Sequence, residues 1–410
     1  MHPKACRICG QSPLSEVLRL GKMPPVNYFP LQEELHKPLK KYPLTLCLCE
    51  GCGLVQLNCV VPPRKLFQNY HYLTSASEPL IHHFRSAANE YIQRHFVSRG
   101  GKMLDIGAND GTLLLEFKKY GVKTLGVDPS LNAVEVARQV GVEVIPAFFS
   151  AEIAEKIRKR HGRFDVITSN NVFAHTDDVK DFLKGAKTLL APQGTFIVEF
   201  AHLLEMIVKN QFDVIYHEHL SYFSSPPLIR LFNRFDLQIF DAKKILTQGG
   251  SLRIYARHKS KKKNPPSQNL QSILQEEREN YITELATLRS FAKEVHRFRS
   301  DLRELVKGLK KRGHKIVGLG APAKGVILLN FCGLGASEID YIVDSTPLKQ
   351  GRFFPGSHIP VYAERRLETD PCDYLLLLAW NFQDEILKKI EPLRVKGAKV
   401  IVPFPKLRVV

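Results

Sequence analysis

The sequence lacks any long apolar run. Its longest stretch of this kind lies near Leu375 to Trp380 and is far shorter than the roughly 20 residues that a transmembrane helix needs. The opening stretch, MHPKACRICG, contains no apolar core of a secretory signal. These two absences predict a cytoplasmic protein without a membrane partner.

Acidic residues are too few to balance the basic ones. Lys and Arg number 59 against 41 Asp and Glu, and the formal net charge is +18. Such an excess is typical of nucleic-acid-binding proteins. Here the basic residues are spread along the chain, and the dense run from Lys259 to Lys263 is followed by Asn-Pro-Pro, which indicates a linker. We interpret the charge as a solvated surface that also attracts an anionic substrate, and do not expect nucleic acid as a partner.

The chain of 410 residues is too long for one ordinary core, and two or three domains are expected. Its patterning divides into four ranges. A cysteine-rich range, predicted to bind zinc, covers 1–68, and a strand–helix alternation covers 69–258. A linker with helices covers 259–312, and a second alternation covers 313–410.

The third range carries a long apolar stripe. Its apolar residues, from Leu270 to Leu309, recur at spacings of three, four or seven. This pattern predicts one long amphipathic helix or a pair of helices, ended by Gly313. We interpret the stripe as packing between domains. It is also long enough to support a dimer, so a monomer or a homodimer is expected.

Cysteine is sparse, but four of the eight cysteines form two pairs. Cys6-Arg-Ile-Cys9 and Cys49-Glu-Gly-Cys52 are C-x-x-C motifs, each followed by glycine. Two such pairs predict a tetrahedral zinc site with four thiolate ligands. Four protein ligands leave no open position on the metal, so the site is expected to be structural. A redox motif is the alternative, and Cys47 is an alternative ligand.

The segment KMLDIGANDG combines a strand, a turn of small residues and the start of a helix. Asp105 lies in the strand, and the turn contains Gly107, Asn109 and Gly111. Such a turn at a helix N-terminus leaves the backbone open to a ligand. The spacing differs from the G-x-G-x-x-G motif, and an acid before the turn repels a pyrophosphate but suits an ammonium group. The segment therefore favours S-adenosylmethionine over a dinucleotide.

Four later positions agree with this cofactor. Asp128 ends the next predicted strand, where a carboxylate can bind both ribose hydroxyls. Phe148 and Phe149 follow the third strand and are placed to flank an adenine. Asn171 follows the fourth strand. Together these positions predict a Rossmann-like domain that binds S-adenosylmethionine.

Ionisable residues follow two of the predicted strands. His175 comes shortly after the fourth strand, and the run Tyr-His-Glu-His occupies 216–219 on a loop, where functional groups tend to collect. In an extended run alternate side chains face opposite sides, so a shared site requires a turn. We interpret the run as an acid–base site. A second metal site is the alternative, less favoured because zinc rarely binds a phenol such as Tyr216.

These motifs occur together with further specific segments. The segments are Cys49-x-x-Cys52-Gly-Leu-Val-Gln, Asp105-Ile-Gly-Ala-Asn-Asp-Gly111-Thr-Leu-Leu, Tyr216-His-Glu-His219-Leu-Ser-Tyr-Phe-Ser, Gly249-Gly-Ser-Leu-Arg253, Gly318-Leu-Gly-Ala-Pro-Ala-Lys-Gly325 and Asp344-Ser-Thr-Pro-Leu-Lys-Gln-Gly351. Over essentially its whole length the chain resembles the sugar C-methyltransferases that act on nucleotide-linked 4-keto-deoxyhexoses. Leu319, where an aromatic residue is expected, is a small departure.

The resemblance implies an α/β protein with a central class I, Rossmann-like methyltransferase domain. A zinc-binding domain precedes it, and a C-terminal Rossmann-like domain binds a nucleotide-diphosphate sugar. The implied reaction transfers a methyl group from S-adenosylmethionine to a sugar carbon, C3, of a 4-keto-6-deoxyhexose through an enolate. His219 is the expected base and Glu218 its partner. Tyr216 and His175 would stabilise the enolate oxygen, and Tyr70 would close over the substrate.

Basic residues are expected to bind the substrate. Lys324, near a predicted helix start, is placed to meet a phosphate, and Arg253 and Arg352 are expected to join it. The roles of His175 and His219 are interchangeable at this level.

Three other functions fit parts of the sequence. The first is an RNA methyltransferase with a zinc ribbon, and the second is a non-catalytic scaffold that binds S-adenosylmethionine. The third is a related methyltransferase acting on a non-sugar carbon or a heteroatom.

Overall fold

The computed structural model describes residues 5–68, 73–260 and 265–410. Three β-sheets organise these ranges: a four-stranded N-terminal sheet, a seven-stranded central sheet and a six-stranded C-terminal sheet. Within the same ranges no helix has the length and apolar character needed to cross a membrane.

The strands follow in chain order. They are β1 (Ser15–Met23), β2 (Tyr42–Leu48), β3 (Val55–Leu57), β4 (Lys102–Ile106), β5 (Lys123–Asp128), β6 (Val144–Pro146), β7 (Phe164–Asn170), β8 (Leu190–Ala201), β9 (Ser221–Tyr222), β10 (Leu237–Ile245), β11 (Ser251–His258), β12 (Ile316–Leu319), β13 (Tyr341–Val343), β14 (Val361–Tyr362), β15 (Tyr374–Leu377), β16 (Lys399–Val402) and β17 (Arg408–Val409).

The helices lie between these strands. They are α1 (Pro63–Phe67), α2 (Glu78–Gln93), α3 (Thr112–Lys118), α4 (Leu131–Gln139), α5 (Ala151–His161), α6 (Val179–Leu189), α7 (Leu203–Val208), α8 (Ser225–Arg234), α9 (Gln268–Glu279), α10 (Leu285–Lys311), α11 (Ala323–Cys332), α12 (Arg366–Thr369), α13 (Gln383–Lys389) and α14 (Glu391–Val395).

The N-terminal sheet joins two distant parts of the chain. Its order is β1-β2-β3-β9, and all neighbours are antiparallel. Three strands come from the first range, but β9 directly follows the Tyr-His-Glu-His run. Val55 pairs with Tyr222 and Gln56 with Ser221. The predicted boundary near residue 68 therefore does not separate the sheets, because a strand from within 69–258 completes the first one.

The central sheet has the order β10-β11-β8-β7-β4-β5-β6. The strands from β4 to β8 are parallel, whereas β11 runs antiparallel to both of its neighbours. Residues 103–106 of β4 are all buried, as expected for a parallel strand covered on both faces. The strand order reverses between β4 and β7, which is where ligands bind in open α/β sheets.

The predicted apolar stripe forms two helices, α9 and α10. The buried positions of α10 follow the helical period and are Leu288, Phe291, Ala292, Val295, Phe298, Leu302, Val306 and Leu309. This face packs against β1 and α11. The apolar face of α10 is thus covered by other elements of the same chain.

The C-terminal sheet has the order β14-β13-β12-β15-β16-β17, and every neighbouring pair except β16 and β17 is parallel. Its order reverses between β12 and β15. One hydrophobic core combines the N-terminal sheet, α10 and this sheet, and a second combines the cysteine knuckles with the central sheet. The predicted α/β class, with a central Rossmann-like sheet and a second one at the C-terminus, is confirmed.

Candidate active site

A large cavity lies between the central and C-terminal sheets and has a volume of about 1740 Å³. Loops after β4, β5 and β7 form one wall, and loops after β12, β13 and β15 form the other. The N-terminal part of the chain contributes Asn27 to Phe29. The carboxyl ends of two parallel sheets therefore face the same space, as expected for ligand sites in α/β folds.

The turn after β4 has a conformation that depends on glycine. Gly107 has φ +82° and Gly111 φ +79°, in the region that other residues disfavour. A Cβ on Gly107 would lie 2.1 Å from Val172 Cγ2, so a side chain would also clash. Gly107 and Asn109 line the cavity, whereas Gly111 is the N-cap of α3 and is not among the described lining residues.

Two carboxylates border this turn. Asp128 accepts the Asn109 N–H at 2.9 Å and the Ser130 N–H at 2.8 Å, which holds its carboxylate at the end of β5. Asp105 accepts the Thr168 hydroxyl at 2.6 Å. Burial raises the pKa of Asp105 to about 7 and also raises that of Asp128. Both acids line the cavity, where a ligand cation and ribose hydroxyls would stabilise their charged forms.

Aromatic and amide side chains complete this end of the cavity. Phe148 and Phe149 lie directly after β6, and Phe149 packs edge-to-face against Phe182 with ring centroids 5.0 Å apart. Asn171, with φ +55°, donates its N–H to the Glu199 carbonyl at 2.7 Å. Phe148, Phe149 and Asn171 all line the cavity. Acids at the carboxyl-terminal ends of two adjacent strands, with aromatics after the third strand, fit the ammonium, ribose and adenine of S-adenosylmethionine.

Replacing Asp128 by alanine is expected to weaken S-adenosylmethionine binding by roughly 10- to 100-fold, the size of one or two hydrogen bonds to a charged group. Calorimetric titration measures this affinity. Asp165 gives a matched control, because it accepts the Lys102 N–H at the opposite edge of the sheet and does not line the cavity. Unchanged affinity in D128A would contradict the ribose-binding role.

The segment before α2 contacts the same turn. The Thr74 N–H donates to Asn109 Oδ1 at 2.9 Å, and the Ser75 N–H donates to Asp110 Oδ2 at 2.8 Å. These contacts were not predicted, although Thr74 and Ser75 belong to the stretch that begins at Tyr70. Tyr70 itself lies outside the described residues.

The two predicted histidines come together in the cavity. The rings of His175 and His219 are stacked with centroids 5.0 Å apart, and Tyr216 lies 4.0 Å from His219 by the same measure. Phe67 in turn stacks on His175, with ring centroids 5.6 Å apart. The required turn is present, since the His219 N–H donates to the Tyr216 carbonyl at 2.9 Å.

A backbone carbonyl orients His219. Its Nδ1 lies 2.8 Å from the Val214 carbonyl oxygen, which can only accept, so Nδ1 carries the proton and Nε2 holds a lone pair in the neutral ring. Burial, with a smaller contribution from the Lys324 charge, lowers the pKa of His219 to about 4 against the opposing effect of the Val214 hydrogen bond. Burial and the neighbouring His219 likewise hold the pKa of His175 well below its ordinary value. Both shifts favour the neutral form of the ring.

Glu218 has a different partner from the predicted one. Its Oε1 accepts a hydrogen bond from Asn27 Nδ2 at 2.7 Å, and the residue is 2% exposed. His219 Nδ1 contacts the Val214 carbonyl and not Glu218. The role predicted for Glu218 as the partner of His219 stays a prediction. Asn27 carries no motif by which its part in the site could have been predicted.

Lys324 occupies the C-terminal side of the cavity. Its ammonium lies 4.5 Å from the centre of the Trp380 ring, and burial lowers its pKa to about 8 against the opposing effect of Asp213. Asp213 accepts the Trp380 indole N–H at 2.6 Å. Burial raises the pKa of Asp213 to about 6. A buried cation thus lies close to His219, and neither Asp213 nor Trp380 was predicted.

The two arginines expected to bind substrate have different surroundings. Arg352 lines the cavity and donates to the Phe29 carbonyl at 3.1 Å. Arg253 is not among the described lining residues and is 2% exposed. Its guanidinium contacts Glu199 at 2.8 Å and Glu90 at 3.3 Å. The substrate-binding role predicted for Arg253 is therefore not supported, because its guanidinium is already ion-paired with two carboxylates.

The C-terminal sheet repeats the carboxylate geometry of the central one. Asp344, just after β13, accepts the Ala321 N–H at 2.6 Å and the Thr346 N–H at 2.8 Å. Asp128 makes the same pair of backbone contacts at the end of β5. Asp344 also lines the cavity, with Lys349 3.8 Å away. A second carboxylate that is held in the same way, with a cation beside it, therefore lines the same cavity.

The four cysteines of the two C-x-x-C motifs form one cluster. Their sulfurs lie within 4.8 Å of one another, with Cys6 3.5 Å from Cys52 and Cys9 3.4 Å from Cys49. Zn–S bonds of about 2.3 Å in a tetrahedron require sulfur separations of roughly 3.8 Å, so the cluster fits zinc. Cys47 lies on β2 outside the cluster.

Family models match three parts of the chain. A model of a zinc binding domain matches residues 6–67, a methyltransferase domain matches residues 80–242, and a C-methyltransferase C-terminal domain matches residues 246–405. The predicted cofactor and structural zinc agree with these matches and with the cysteine cluster.

Relatives agree with the family models. The C-methyltransferase NovU of Streptomyces niveus is 37% identical over 405 residues, which cover 99% of this chain and 96% of NovU. A ubiquinone biosynthesis O-methyltransferase of Rhodopseudomonas palustris (strain HaA2) is 31% identical over 123 residues, 29% of this chain and 48% of that protein. The chain belongs to the S-adenosylmethionine-dependent C-methyltransferases that carry an N-terminal zinc-binding domain.

Proposed function

We propose that the enzyme methylates C3 of a nucleotide-linked 4-keto-6-deoxyhexose. The observation that carries this proposal is the hydrogen bond of His219 Nδ1 to the Val214 carbonyl, which leaves the Nε2 lone pair free on a ring that lines the same cavity as Asp128 and Asp344. One carboxylate, Asp128, suits the cofactor, and the other, Asp344, suits the nucleotide of the substrate. The 37% identity to a C-methyltransferase supports carbon as the acceptor.

The chemistry requires a base beside a ketone. A C–H next to a carbonyl is weakly acidic because its removal gives an enolate. S-adenosylmethionine supplies an electrophilic methyl group, and S-adenosylhomocysteine leaves as the carbon–carbon bond forms. His219 Nε2 takes the proton and the resulting imidazolium returns it to solvent. A positioned base typically contributes about 10²–10⁴-fold.

The groups around His219 suit the enolate. Tyr216 has a hydroxyl able to donate to the developing oxyanion, and its ring lies against His219. His175 is the second donor in this proposal, and the Lys324 ammonium favours negative charge nearby. Glu218 is proposed to act indirectly, by accepting a hydrogen bond from the side chain of Asn27, which lines the cavity. Tyr70 is proposed to cover the substrate.

The C-terminal wall is proposed to bind the nucleotide. Asp344 would accept the ribose hydroxyls, and Lys324, Lys349 and Arg352 would face the diphosphate. All four residues line the cavity. An anionic substrate also agrees with the net charge of +18.

The remaining predictions on organisation are kept as proposals. The ranges 1–68, 69–258, 259–312 and 313–410 are proposed as domains, with β9 exchanged into the first. The protein is proposed to be cytoplasmic and to act as a monomer or a homodimer.

A panel of nucleotide-linked 4-keto-6-deoxysugars tests this function. Enzyme and S-adenosylmethionine are incubated with each sugar, and mass spectrometry is expected to show the gain of one methylene for at least one of them. A deuterium placed at C3 should be lost during that reaction. Cofactor binding without any sugar product would contradict the proposal and make a non-sugar acceptor, and then RNA, the next substrates to test.

A further inference from the structure

Arg7 lies inside the first cysteine knuckle, between the ligands Cys6 and Cys9. The middle positions of such a knuckle need no particular side chain to bind zinc. Nevertheless the Arg7 side chain is only 3% exposed. Burying a guanidinium is costly unless hydrogen bonds compensate for the lost water. The contacts of Arg7 therefore indicate what its burial achieves.

The guanidinium reaches both histidine-bearing segments. Its Nε donates to Asp177 Oδ1 at 2.9 Å, and its Nη1 donates to the Leu220 carbonyl at 3.1 Å. Asp177 lies two residues after His175, and Leu220 directly follows His219. Arg7 thus holds, with one rigid planar group, the residues next to both histidines of the proposed site.

The two segments also contact each other beside Arg7. The Leu220 N–H donates to the Ala174 carbonyl at 2.9 Å, and the Leu220 carbonyl also accepts the Leu57 N–H at 3.0 Å. Arg7 Nη1 donates to the Leu57 carbonyl at 2.9 Å. The guanidinium therefore sits where β3, the His175 segment and the His219 segment meet.

The knuckle determines where the backbone of Arg7 lies. The Arg7 N–H donates to Gln56 Oε1 at 3.0 Å, and the Gly10 N–H closes the turn onto the Cys6 carbonyl at 2.9 Å. Gln56 is the partner of Ser221 in the pairing of β3 with β9. Metal ligation on both sides of Arg7 limits the movement of its backbone.

We propose that Arg7 is a positioning residue that transmits the geometry of the cysteine knuckle to both histidine segments and so sets the spacing of His175 and His219. This inference rests on the function proposed above for the two histidines. It gives the zinc module a part in catalysis although four thiolate ligands leave no open coordination position on the metal.

The test compares Arg7→Met with Arg19→Met. Methionine keeps an unbranched apolar chain but removes the side-chain hydrogen bonds of Arg7. Arg19 is an exposed arginine of the N-terminal sheet, paired with Glu16. Zinc content and S-adenosylmethionine affinity are measured first and are expected to be unchanged in both variants. Histidine ring titrations are then followed by NMR with ¹³C-labelled histidine, assigned with variants of His175 and His219.

In R7M the His219 titration is expected to move up toward the ordinary value of about 6.5, because a loosened loop admits water. With a sugar accepted in the panel, kcat is expected to fall by about 10²-fold, the effect of a displacement near 1 Å, with little change in KM. Arg7→Lys should recover part of this loss, since lysine keeps the charge but not the fork.

An unchanged His219 titration and kcat in R7M would overturn the proposal. Loss of zinc together with activity would also overturn it, because Arg7 would then belong to the zinc fold alone. If R19M had the same effect, the guanidinium contacts would be irrelevant. Failure of the proposed function is distinguishable, because it would appear as no product from the sugar panel or as full activity of a His219 variant, whereas the NMR titration of R7M needs no substrate.

Discussion

Replacing His219 by asparagine is expected to lower kcat by about 10²–10⁴-fold, the usual contribution of a positioned base. The asparagine amide can still donate to the Val214 carbonyl, as Nδ1 does in the wild type, but it has no group in place of Nε2. S-adenosylmethionine affinity should therefore be retained. Steady-state kinetics on a sugar accepted in the panel, with calorimetry of the cofactor, measures both quantities.

His217 provides a matched control two residues away. Its Nε2 lies 3.2 Å from the Pro43 carbonyl, and it does not line the cavity. The variant H217Q, which preserves a donor at that distance, is expected to keep kcat within a few-fold. Equal losses in H219N and H217Q would mean that the loop fold, not a proton transfer, had been damaged.

The pH profile gives a second reading of the same residue. A base must be unprotonated to act, and burial lowers the pKa of His219 to about 4. The part of the profile that depends on His219 should therefore be constant through the ordinary histidine range and should decline only near pH 4. The profile is measured with S-adenosylmethionine saturating, so that Asp105 stays charged, and is compared with that of H219N. An acid limb near 6.5 that is lost in H219N would indicate that the catalytic histidine is solvated.

Replacing Cys52 by serine is expected to abolish zinc binding and, with it, nearly all activity. The wild type should hold about one zinc per chain. Structural zinc contributes directly to folding free energy, and here the knuckle of Cys49 and Cys52 lies just before β3. Because β3 pairs with β9, and β9 follows His219, loss of the metal is expected to disorder the active-site loop. Metal analysis, thermal unfolding and activity measure the three effects.

Cys47 is the control for this variant. It is a buried cysteine of β2 two positions before Cys49, but its sulfur is not part of the cluster. C47S should retain about one zinc per chain. Full zinc in C52S would contradict the four-thiolate site, and loss of zinc in C47S would revive Cys47 as a ligand. Two zinc ions per wild-type chain would revive a metal role for the Tyr-His-Glu-His run.

The cofactor side of the site was largely predictable. The Gly turn and Asp128 are local features, since each depends on a few consecutive residues at the end of a strand. Parallel strands bring such ends to one edge, so the sequence alone predicts that Asp105, Asp128 and Phe148 lie together. Gly111 was predicted to bind the cofactor as well, but it is the N-cap of α3 and is not among the described residues that line the cavity.

The surroundings of charged side chains were less predictable. Arg253 was expected at the substrate because it belongs to a specific motif, but Glu199 and Glu90 surround it instead. Glu199 lies on β8, which pairs with β11, and Glu90 lies on α2. A guanidinium binds whichever carboxylates the fold brings within reach. Because α2, β8 and β11 are far apart along the chain, no local sequence pattern predicts that they meet.

A few neighbouring residues encode the two cysteine knuckles, the cofactor turn, the Tyr-His-Glu-His run and, through them, the family. Long-range packing is what brings Val214 to His219, Asn27 to Glu218 and Arg7 to both histidine segments. Such contacts escape local patterns because hydrogen bonds depend on distance and direction within a few tenths of an ångström. Those quantities are set by the packing of β3, β9 and the central sheet, which are far apart along the chain.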